Sequence, residues 1–340
     1  MSGSWDLVAD IGGTNARFAV CDGLSRELRC CRTYPVAEYE NFSDALETYL
    51  ADVAGRGWSP TPERACVGSA APIRGDVIRF TNSTWSLDRR ALARQLDAAV
   101  YLINDFAAVG YAVMTLSKGD WHQLGGQAPE AGFPKGVLGA GTGLGVCSLF
   151  AVDGIYHVVE GEGGHVDFAP VDAQEIAVLQ ILTGRFGHVS AERLLSGAGL
   201  VNIYTALAHL GDKRPLHDSA PAITEAALAG VEPLAVQTLE LFCRVLGSTA
   251  GNLALTFGAR GGIYIAGGIA PRVTDFLTRS DFRTRFEAKG RYASYLRDIP
   301  VRLVTREHLG LEGASAYLRQ RGGGQRLPTA GARSGVADPQ

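Results

Sequence analysis

Two short segments combine several glycines with an acidic or hydroxyl side chain, a combination that can hold phosphate. The first is Asp10-Ile-Gly-Gly-Thr-Asn15, and the second is Gly139-Ala-Gly-Thr-Gly-Leu-Gly145. Glycine lets the backbone N–H groups of a turn approach a ligand closely, and such N–H groups bind polyphosphate well. A carboxylate beside such a turn, here Asp10, could hold Mg²⁺ through its water shell. The hydroxyls of Thr14 and Thr142 could reach phosphate oxygens.

A second group of residues suits a ligand rich in hydroxyls, because hydroxyl groups need paired donors and acceptors. Asn104-Asp105 follows an apolar run, Glu162-Gly-Gly-His165 has the composition of a loop, and Glu192 follows Ser190 at the start of a helical pattern. Each has a plainer explanation when it is taken alone. Asp105 could be only a helix cap, His165 a surface residue, and Glu192 an acid near a helix dipole behind a Ser190 cap.

The elements around both glycine turns follow the same plan. Each turn lies between two apolar runs of strand length, and helical patterns follow in both halves of the chain. Two halves that open with strand, glycine turn and strand predict a duplicated α/β unit, with a ligand expected in a cleft between the halves. The predicted strands are 7–9, 16–21, 28–36, 65–71, 77–80, 100–103, 136–140, 146–152, 155–159, 260–266 and 301–304. The predicted helices are 41–54, 87 or 88 to 96, 106–116, 172–186, 190–209, 222–229, 233–257 and 310–320, and the Gly- and Pro-containing segment 119–134 is predicted to be a connector.

Familiar nucleotide-binding loops do not fit the sequence. The chain has no GxxxxGK[ST] motif, which argues against a P-loop enzyme. Segment 139–145 fails the GxGxxG register, and a strand follows it where a Rossmann unit needs a helix. Ordinary hairpin turns remain an alternative in a chain that contains 43 glycines.

The motifs together resemble those of a known family. Asp10-Ile-Gly-Gly-Thr-Asn-Ala-Arg17 resembles the first phosphate motif of the actin-like ATPase superfamily, in the form used by bacterial glucokinases. Segment 139–145 is similar to the second phosphate motif, and Ile265-Ala-Gly-Gly-Ile-Ala270 to the segment that packs against adenosine. The resemblance covers about residues 6–318. It implies a two-lobed α/β fold of the actin-like ATPase (ribonuclease H-like) type with a central cleft.

The resemblance also implies an activity and its residues. Segments 103–106, 160–170 and 189–197 resemble the glucose-binding segments of bacterial glucokinases, which implies ATP-dependent phosphorylation of the glucose 6-hydroxyl with Asp105 as the base. Asp10 would place Mg²⁺ through water. The implied sugar ligands are Asn104, Asp105, Glu162, His165 and Glu192. The implied nucleotide site contains Asp10, Gly12, Gly13, Thr14, Asn15, Gly141, Thr142, Gly143, Gly267 and Gly268. Thr81, Asn82 and Trp85 match a further family segment without an assigned role.

The same resemblance implies a domain organisation. The last helix of the family returns to the small lobe, so the small domain is expected at 1–116 plus 306–321 and the large domain at 117–305. Residues 322–340 are rich in Gly, Pro, Ala and Ser and are predicted to be disordered. The family commonly forms homodimers, which is the expectation here.

Composition narrows the classes of partner. The net charge is −3, from 32 basic and 35 acidic residues mixed along the chain, so no basic stripe for nucleic acid is expected. Apolar runs are of strand length, and the start of the sequence lacks a signal core, which together predict a cytoplasmic protein without a membrane partner. Six cysteines show no metal-binding spacing and are expected to be buried, reduced thiols.

Other functions remain open at this stage. The substrate could be another hexose, such as mannose or an amino sugar, and the donor could be polyphosphate. The ROK branch of sugar kinases is disfavoured because its cysteine cluster is missing, the next cysteine after His165 being Cys243. A catalytically inactive regulator should have lost Asp10 or Asp105. A chaperone-type or filament-type ATPase would not need the Glu162, His165 and Glu192 set.

Overall fold

The computed structural model describes residues 4–322 except 26, 72, 74 and 81–84. The predicted tail therefore lies outside the described residues beyond Gly322, as do Thr81 and Asn82. Backbone contacts divide the described chain into two units. The first unit joins the residues up to 116 with those from 306 onward, and the second unit comprises 117–305.

The first unit is built on a five-stranded sheet. Its strands are β1 (Trp5–Ile11), β2 (Asn15–Asp22), β3 (Leu28–Pro35), β4 (Arg64–Ser69) and β7 (Ala99–Asn104), while β5 (Val77–Arg79) and β6 (Ser86–Asp88) form a separate ribbon. The order in the sheet is β3-β2-β1-β4-β7, with β1, β4 and β7 parallel. Because parallel strands end at the same edge, the residues that follow β1, β4 and β7 are neighbours there.

Helices cover both faces of this sheet, because successive side chains of β1 point to opposite faces and nearly all of them are buried. The helices described in this unit are α1 (Phe42–Gly55), α2 (Arg89–Leu96), α3 (Asp105–Val113) and α11 (Leu309–Arg321). Leu7 and Ile11 of β1 share one core with α1 and α2, whereas Val8 shares another with Leu311 and Leu318 of α11. The C-terminal helix thus completes the N-terminal unit.

The second unit is built on a six-stranded sheet in the order β11-β10-β9-β12-β13-β8. The strands are β8 (Trp121–Gly125), β9 (Lys135–Ala140), β10 (Leu144–Val152), β11 (Ile155–Gly161), β12 (Ile263–Ala266) and β13 (Val301–Val304). Strands β9, β12 and β13 are parallel, and Gly139 pairs with Ala266. This register puts the turn after β9 beside the segment that follows β12.

Seven helices complete the second unit: α4 (Ala173–Phe186), α5 (Gly197–Leu210), α6 (Ala220–Ala229), α7 (Pro233–Phe257), α8 (Thr274–Arg279), α9 (Phe282–Glu287) and α10 (Ala293–Asp298). The 25-residue α7 is buried along much of its length and joins the core of this unit. In the part of the chain described, no helix by itself has the length and apolar composition to cross a membrane, although α6 and α7 meet that test as a bent pair.

Most predicted elements are confirmed, including the repeated opening of strand, glycine turn and strand. Three local predictions were wrong. The segment predicted as a connector contains strand β8. Ser190 makes no side-chain cap; Ser196 caps α5 instead, by accepting a hydrogen bond from the N–H of Gly199 at 2.9 Å. The glycine pair in Glu162-Gly-Gly-His165 forms a 3-10 helix, Gly163–His165, rather than an irregular loop. The six cysteines form no disulfide, as predicted. Four of them are buried, as expected, whereas Cys30 and Cys31 are partly exposed.

Candidate active site

The first phosphate turn connects β1 to β2. The N–H of Gly12 donates to the carbonyl of Asn15 at 3.0 Å, and the carbonyl of Thr14 accepts from Val36 N at 2.9 Å. Among the described residues, the N–H groups of Gly13 and Thr14 have no backbone acceptor, and both residues are exposed. The turn therefore presents two adjacent N–H donors, as a phosphate-binding turn must.

Asp10, the carboxylate predicted beside this turn, lies one residue before the end of β1. Its Oδ2 atom accepts a hydrogen bond from Arg17 Nη1 at 3.2 Å. Burial raises the pKa of the Asp10 carboxyl above its usual value, and the charges of Arg17 and His308 oppose that rise. The first turn of α11 packs close by, since a Cβ atom at Gly310 would lie 2.6 Å from Asp10 Cγ.

The structure gives the cap of α3 to Asn104 and not to Asp105. Asn104 is the cap of α3, because its Oδ1 atom accepts from Phe106 N at 2.9 Å and from Ala107 N at 3.1 Å. Asp105 is the first helical residue, and its Oδ1 atom accepts from Phe106 N at 2.7 Å. The α3 N-terminus thus holds the Asp105 carboxylate in a favourable field.

Asp10 and Asp105 belong to the same edge of the first sheet. Asp10 pairs with Gly68 of β4, and Gly68 pairs with Ile103 of β7. A Cβ atom at Gly68 would lie 3.8 Å from the Cα atom of Asp105. The carboxyl ends of parallel strands are where α/β proteins bind their ligands.

The second phosphate turn connects β9 to β10 and has a similar construction. Gly141 N donates to Gly143 O at 2.8 Å, and Gly141 O accepts from Gly197 N at the start of α5, also at 2.8 Å. Within the described ranges, the N–H groups of Thr142 and Gly143 have no backbone acceptor. Two adjacent donors are again available for a phosphate.

Gly267 and Gly268, predicted to approach adenosine, lie beside this second turn. Gly267 has φ +85°, and a Cβ atom there would overlap the carbonyl of Ala140. Only glycine avoids both the strained backbone and the clash. Ile269, which follows the two glycines, donates its N–H to Ala140 O at 3.2 Å. The segment after β12 is therefore fixed against the end of β9.

Glu162 precedes the 3-10 helix that follows β11, and His165 is the last residue of that helix. The Oε2 atom of Glu162 is 4.0 Å from His165 Nε2, and both side chains are mostly exposed. A Cβ atom at Gly164 would overlap the carbonyl of Leu144, and one at Gly163 would lie 2.8 Å from Val146 Cγ1. The two glycines therefore let this segment pack against the start of β10.

Glu192 lies on the 3-10 helix Ala191–Arg193, next to that segment. Ala191 N donates to Val166 O at 2.8 Å, and Asp167 forms a β-bridge with Ser190. The Oε2 atom of Glu192 accepts a hydrogen bond from Leu144 N at 2.8 Å. Glu162, His165 and Glu192 are thus gathered around the first residues of β10.

The predicted site residues are divided between the two units. The first unit contains Asp10, Gly12, Gly13, Thr14, Asn15, Asn104 and Asp105. The second contains Gly141, Thr142, Gly143, Glu162, His165, Glu192, Gly267 and Gly268.

Sequence reasoning gave no role to four residues that contact the site. Arg17 was visible as the last residue of the first motif. The other three make no side-chain contact that a sequence could reveal. Gly310 packs closely on Asp10, and Gly197 and Leu144 donate their backbone N–H groups.

A magnesium ion would find a simple donor set here. The described residues contain no group of three or more His, Cys, Asp or Glu side chains that could hold a metal. Mg²⁺ fits this arrangement, because it keeps several waters and is usually bound by one or two carboxylates together with substrate phosphates. Asp10, placed beside a phosphate turn, supplies such a carboxylate.

Curated proteins of one kind match nearly the whole chain. The family model for glucokinase matches residues 7–321. The glucokinase of Yersinia enterocolitica is 44% identical over 319 residues, which are 94% of this chain and 97% of that protein. The glucokinase of Klebsiella pneumoniae strain 342 is 45% identical over 315 residues, which are 92% of this chain and 97% of that protein.

Solved structures give the same picture of the fold. A glucokinase from an Antarctic psychrotroph aligns with a TM-score of 0.82 and 35% identity, over 93% of this chain and 99% of that one. A glucokinase from Balamuthia mandrillaris in complex with glucose aligns with a TM-score of 0.77 at 23% identity, over 93% and 94% of the two chains. The predicted α/β fold of the actin-like ATPase type is confirmed.

Proposed function

The chain belongs to the glucokinase family, and we propose that it phosphorylates D-glucose at the 6-hydroxyl with ATP, giving glucose 6-phosphate and ADP. The observation that carries this proposal is the placement of Asp105. Asp105 is the first residue of α3, and its carboxylate accepts a hydrogen bond from Phe106 N. It lies at the same sheet edge as Asp10. A base and a phosphate-side carboxylate at one edge are what transfer from a nucleotide to a hydroxyl requires.

Asp105 acts on the acceptor. Its carboxylate takes the proton of the sugar 6-hydroxyl while that oxygen attacks the γ-phosphorus, and the bond between this phosphorus and the leaving oxygen of ADP breaks in line. A positioned base of this kind contributes about 10²–10⁴-fold to the rate. Asn104 fixes the start of α3 and, with Glu162, His165 and Glu192, supplies the donors and acceptors for the other sugar hydroxyls.

The two glycine turns act on the phosphates. The N–H groups of Gly13, Thr14, Thr142 and Gly143 have no described backbone acceptor and can bind phosphate oxygens. Asp10 would hold Mg²⁺ through water, and the ion when bound supplies positive charge to the β- and γ-phosphates. Gly267 packs against Ala140 without a Cβ clash, and this segment, with Gly268, would lie against adenosine.

Three further expectations follow from the resemblance to bacterial glucokinases: ATP rather than polyphosphate as donor, a homodimer, and a cytoplasmic location. Parallel assays with ATP and with polyphosphate decide the donor. Light scattering on the eluted protein decides the oligomeric state.

The experiment that tests the base is Asp105→Asn. Asparagine can still accept from Phe106 N, so we expect α3 to form and glucose to bind within about threefold of the native affinity. The value of kcat should fall by about 10²–10⁴-fold. Asp88→Asn is the matched control, because Asp88 caps α2 and the new amide oxygen keeps that cap, so kcat should not change. A folded Asp105→Asn protein with kcat within about tenfold of native would refute the assignment.

A further inference from the structure

A short segment of the second unit, 190–197, contacts both the phosphate turn and the proposed sugar ligands. It begins at the bridge between Ser190 and Asp167 and ends at Gly197, whose N–H donates to Gly141 O at 2.8 Å. Glu192 lies at its centre. A side chain in this position can affect both substrates from within one unit.

The contact of Glu192 with the phosphate turn is close and specific. Its Oε2 atom accepts from Leu144 N at 2.8 Å, immediately after the turn, and Leu144 is buried. A Cβ atom at Gly143 would lie 2.6 Å from the same oxygen, so the turn needs glycine to admit the carboxylate. A buried N–H that loses its acceptor is costly, and this bond therefore fixes where the turn ends.

The contact of the segment with the sugar side is made by the backbone. Ala191 N donates to Val166 O at 2.8 Å, one residue after His165. Gly164 packs on the carbonyl of Leu144, the residue whose N–H is bound by Glu192. The N–H of Leu144 thus binds Glu192, while its carbonyl contacts Gly164 in the segment of the proposed sugar ligands.

The backbone of Glu192 is itself held in place. Its carbonyl accepts from the hydroxyl of Ser196 at 2.9 Å, and that hydroxyl accepts from Gly199 N in the cap of α5. Among the described residues, none donates a hydrogen bond to the Oε1 atom of Glu192, so this atom can accept from a sugar hydroxyl while Oε2 holds the turn.

We propose that Glu192 is a positioning residue for the nucleotide as well as a sugar ligand: Oε2 fixes the phosphate turn through Leu144 N, and Oε1 binds a sugar hydroxyl. This rests on the proposed function, since it takes the ligand of the site to be a sugar. The link makes nucleotide affinity depend on a side chain that lies among the proposed sugar ligands. It also gives the sugar a direct route to order the turn before ATP binds.

The test measures binding of the Mg²⁺ complex of the ATP analogue AMPPNP without sugar, by calorimetry on the full chain. Glu192→Ala should weaken this binding about tenfold, the effect expected when a buried N–H loses a charged acceptor. Glu192→Gln should stay within about threefold of native, because its amide oxygen can accept from Leu144 N. If Glu192→Ala does not fold, Glu192→Asp replaces it, since its shorter side chain cannot reach Leu144 N.

Glu162→Ala is the matched control, because Glu162 is a proposed sugar ligand whose mostly exposed side chain approaches His165. It should bind AMPPNP within about twofold of native and bind glucose more weakly. Native-like AMPPNP binding by the folded Ala and Asp variants of Glu192 would overturn the proposal. If instead AMPPNP binding weakens but glucose binding is unchanged in every variant, the sugar assignment fails and the proposed link fails with it. If no native activity on glucose is found, the proposed function fails, while the AMPPNP result still decides the contact with the turn.

Discussion

At the scale of single residues, the surroundings of Asp10 disfavour the ionised form of its carboxyl group. Burial raises its pKa, and the neighbouring Arg17 offsets this only in part. An acid whose folded-state pKa lies above its unfolded value binds protons more tightly in the folded state. Its ionisation therefore lowers stability, and this loss develops as the pH rises from about the ordinary value toward the raised pKa. Such a charge is expected where function needs a carboxylate.

Asp10→Asn should therefore stabilise the protein at neutral pH and inactivate it. The neutral amide has the same shape and removes the cost of a buried charge, so the melting temperature at pH 7 should rise. Below the ordinary pKa of 3.8 the native carboxyl is protonated, and the two proteins should converge. Thermal unfolding of both proteins, followed from below the ordinary aspartate pKa to neutral pH, checks this. A lower melting temperature than native at pH 7 would show that the Arg17 contact outweighs burial.

The sequence provided candidate side chains for the site, but it did not show the contacts that each one makes. Asn104 and Asp105 were both candidates from the sequence, but only the geometry shows that Asn104 caps α3 and that Asp105 is the first helical residue. The cap of α5 was assigned to Ser190 and belongs to Ser196, because a 3-10 turn intervenes before the helix begins. Glu192 was predicted as a sugar ligand, and its bond to Leu144 N was invisible because the partner is a backbone group.

At the scale of elements, the 3-10 segment Gly163–His165 depends on its packing against β10. Gly164 has no room for a side chain, because a Cβ atom would overlap the carbonyl of Leu144. Gly161, three residues earlier at the end of β11, has nothing within 4 Å of the same position. The two glycines offer a comparison within one short stretch.

Gly164→Ala should displace Glu162 and His165 and raise the dissociation constant for glucose about tenfold, the effect of losing roughly one hydrogen bond. Gly161→Ala should leave glucose affinity within about twofold, because the added methyl group meets nothing. Calorimetric titration with glucose measures both variants. Equal affinities for the two variants would mean that the 3-10 segment does not hold the sugar ligands.

The elements missed from the sequence are short. Strand β8 has five residues, with Leu124 the buried one, and it lies at the edge of its sheet. Helices α8, α9 and α10 have six residues each, which is less than two turns. Apolar periodicity needs a longer window to be recognised, so these elements depend on tertiary packing. The long helix α7 and the strands beside both glycine turns carry clear patterns and were predicted.

At the scale of the whole molecule, the chain returns at its end to the unit where it began. We propose that 1–116 plus 306–321 form one domain and 117–305 the other, in line with the division by contacts. Helix α11 packs along α3 with Gly313 directly against Ala108, and a Cβ atom there would overlap the carbonyl of Ala108. Residues more than 200 positions apart thus share one core, which a local sequence pattern cannot reveal.

Gly313→Ala should destabilise the first unit by about 1–3 kcal/mol, the usual cost of inserting a group into a packed core. Gly55→Ala is the control in the same unit. It adds a methyl group where nothing lies within 4 Å at the end of α1, and it should be neutral or stabilise by up to about 1 kcal/mol. Denaturant unfolding gives both changes in free energy. Unchanged stability for Gly313→Ala would contradict the close approach of α11 and α3.

The most direct test of the central claim is the product formed from glucose. Purified protein is incubated with ATP, Mg²⁺ and glucose, and glucose 6-phosphate is measured with a coupled dehydrogenase, beside mannose, fructose and N-acetylmannosamine followed through ADP release. We expect glucose 6-phosphate as the product, with a kcat/KM for glucose at least about tenfold above that for any other sugar, a discrimination within reach of hydroxyl-binding sites. A preference for another sugar would contradict the proposed substrate. Glucose binding without turnover of any sugar would contradict the assignment of a kinase.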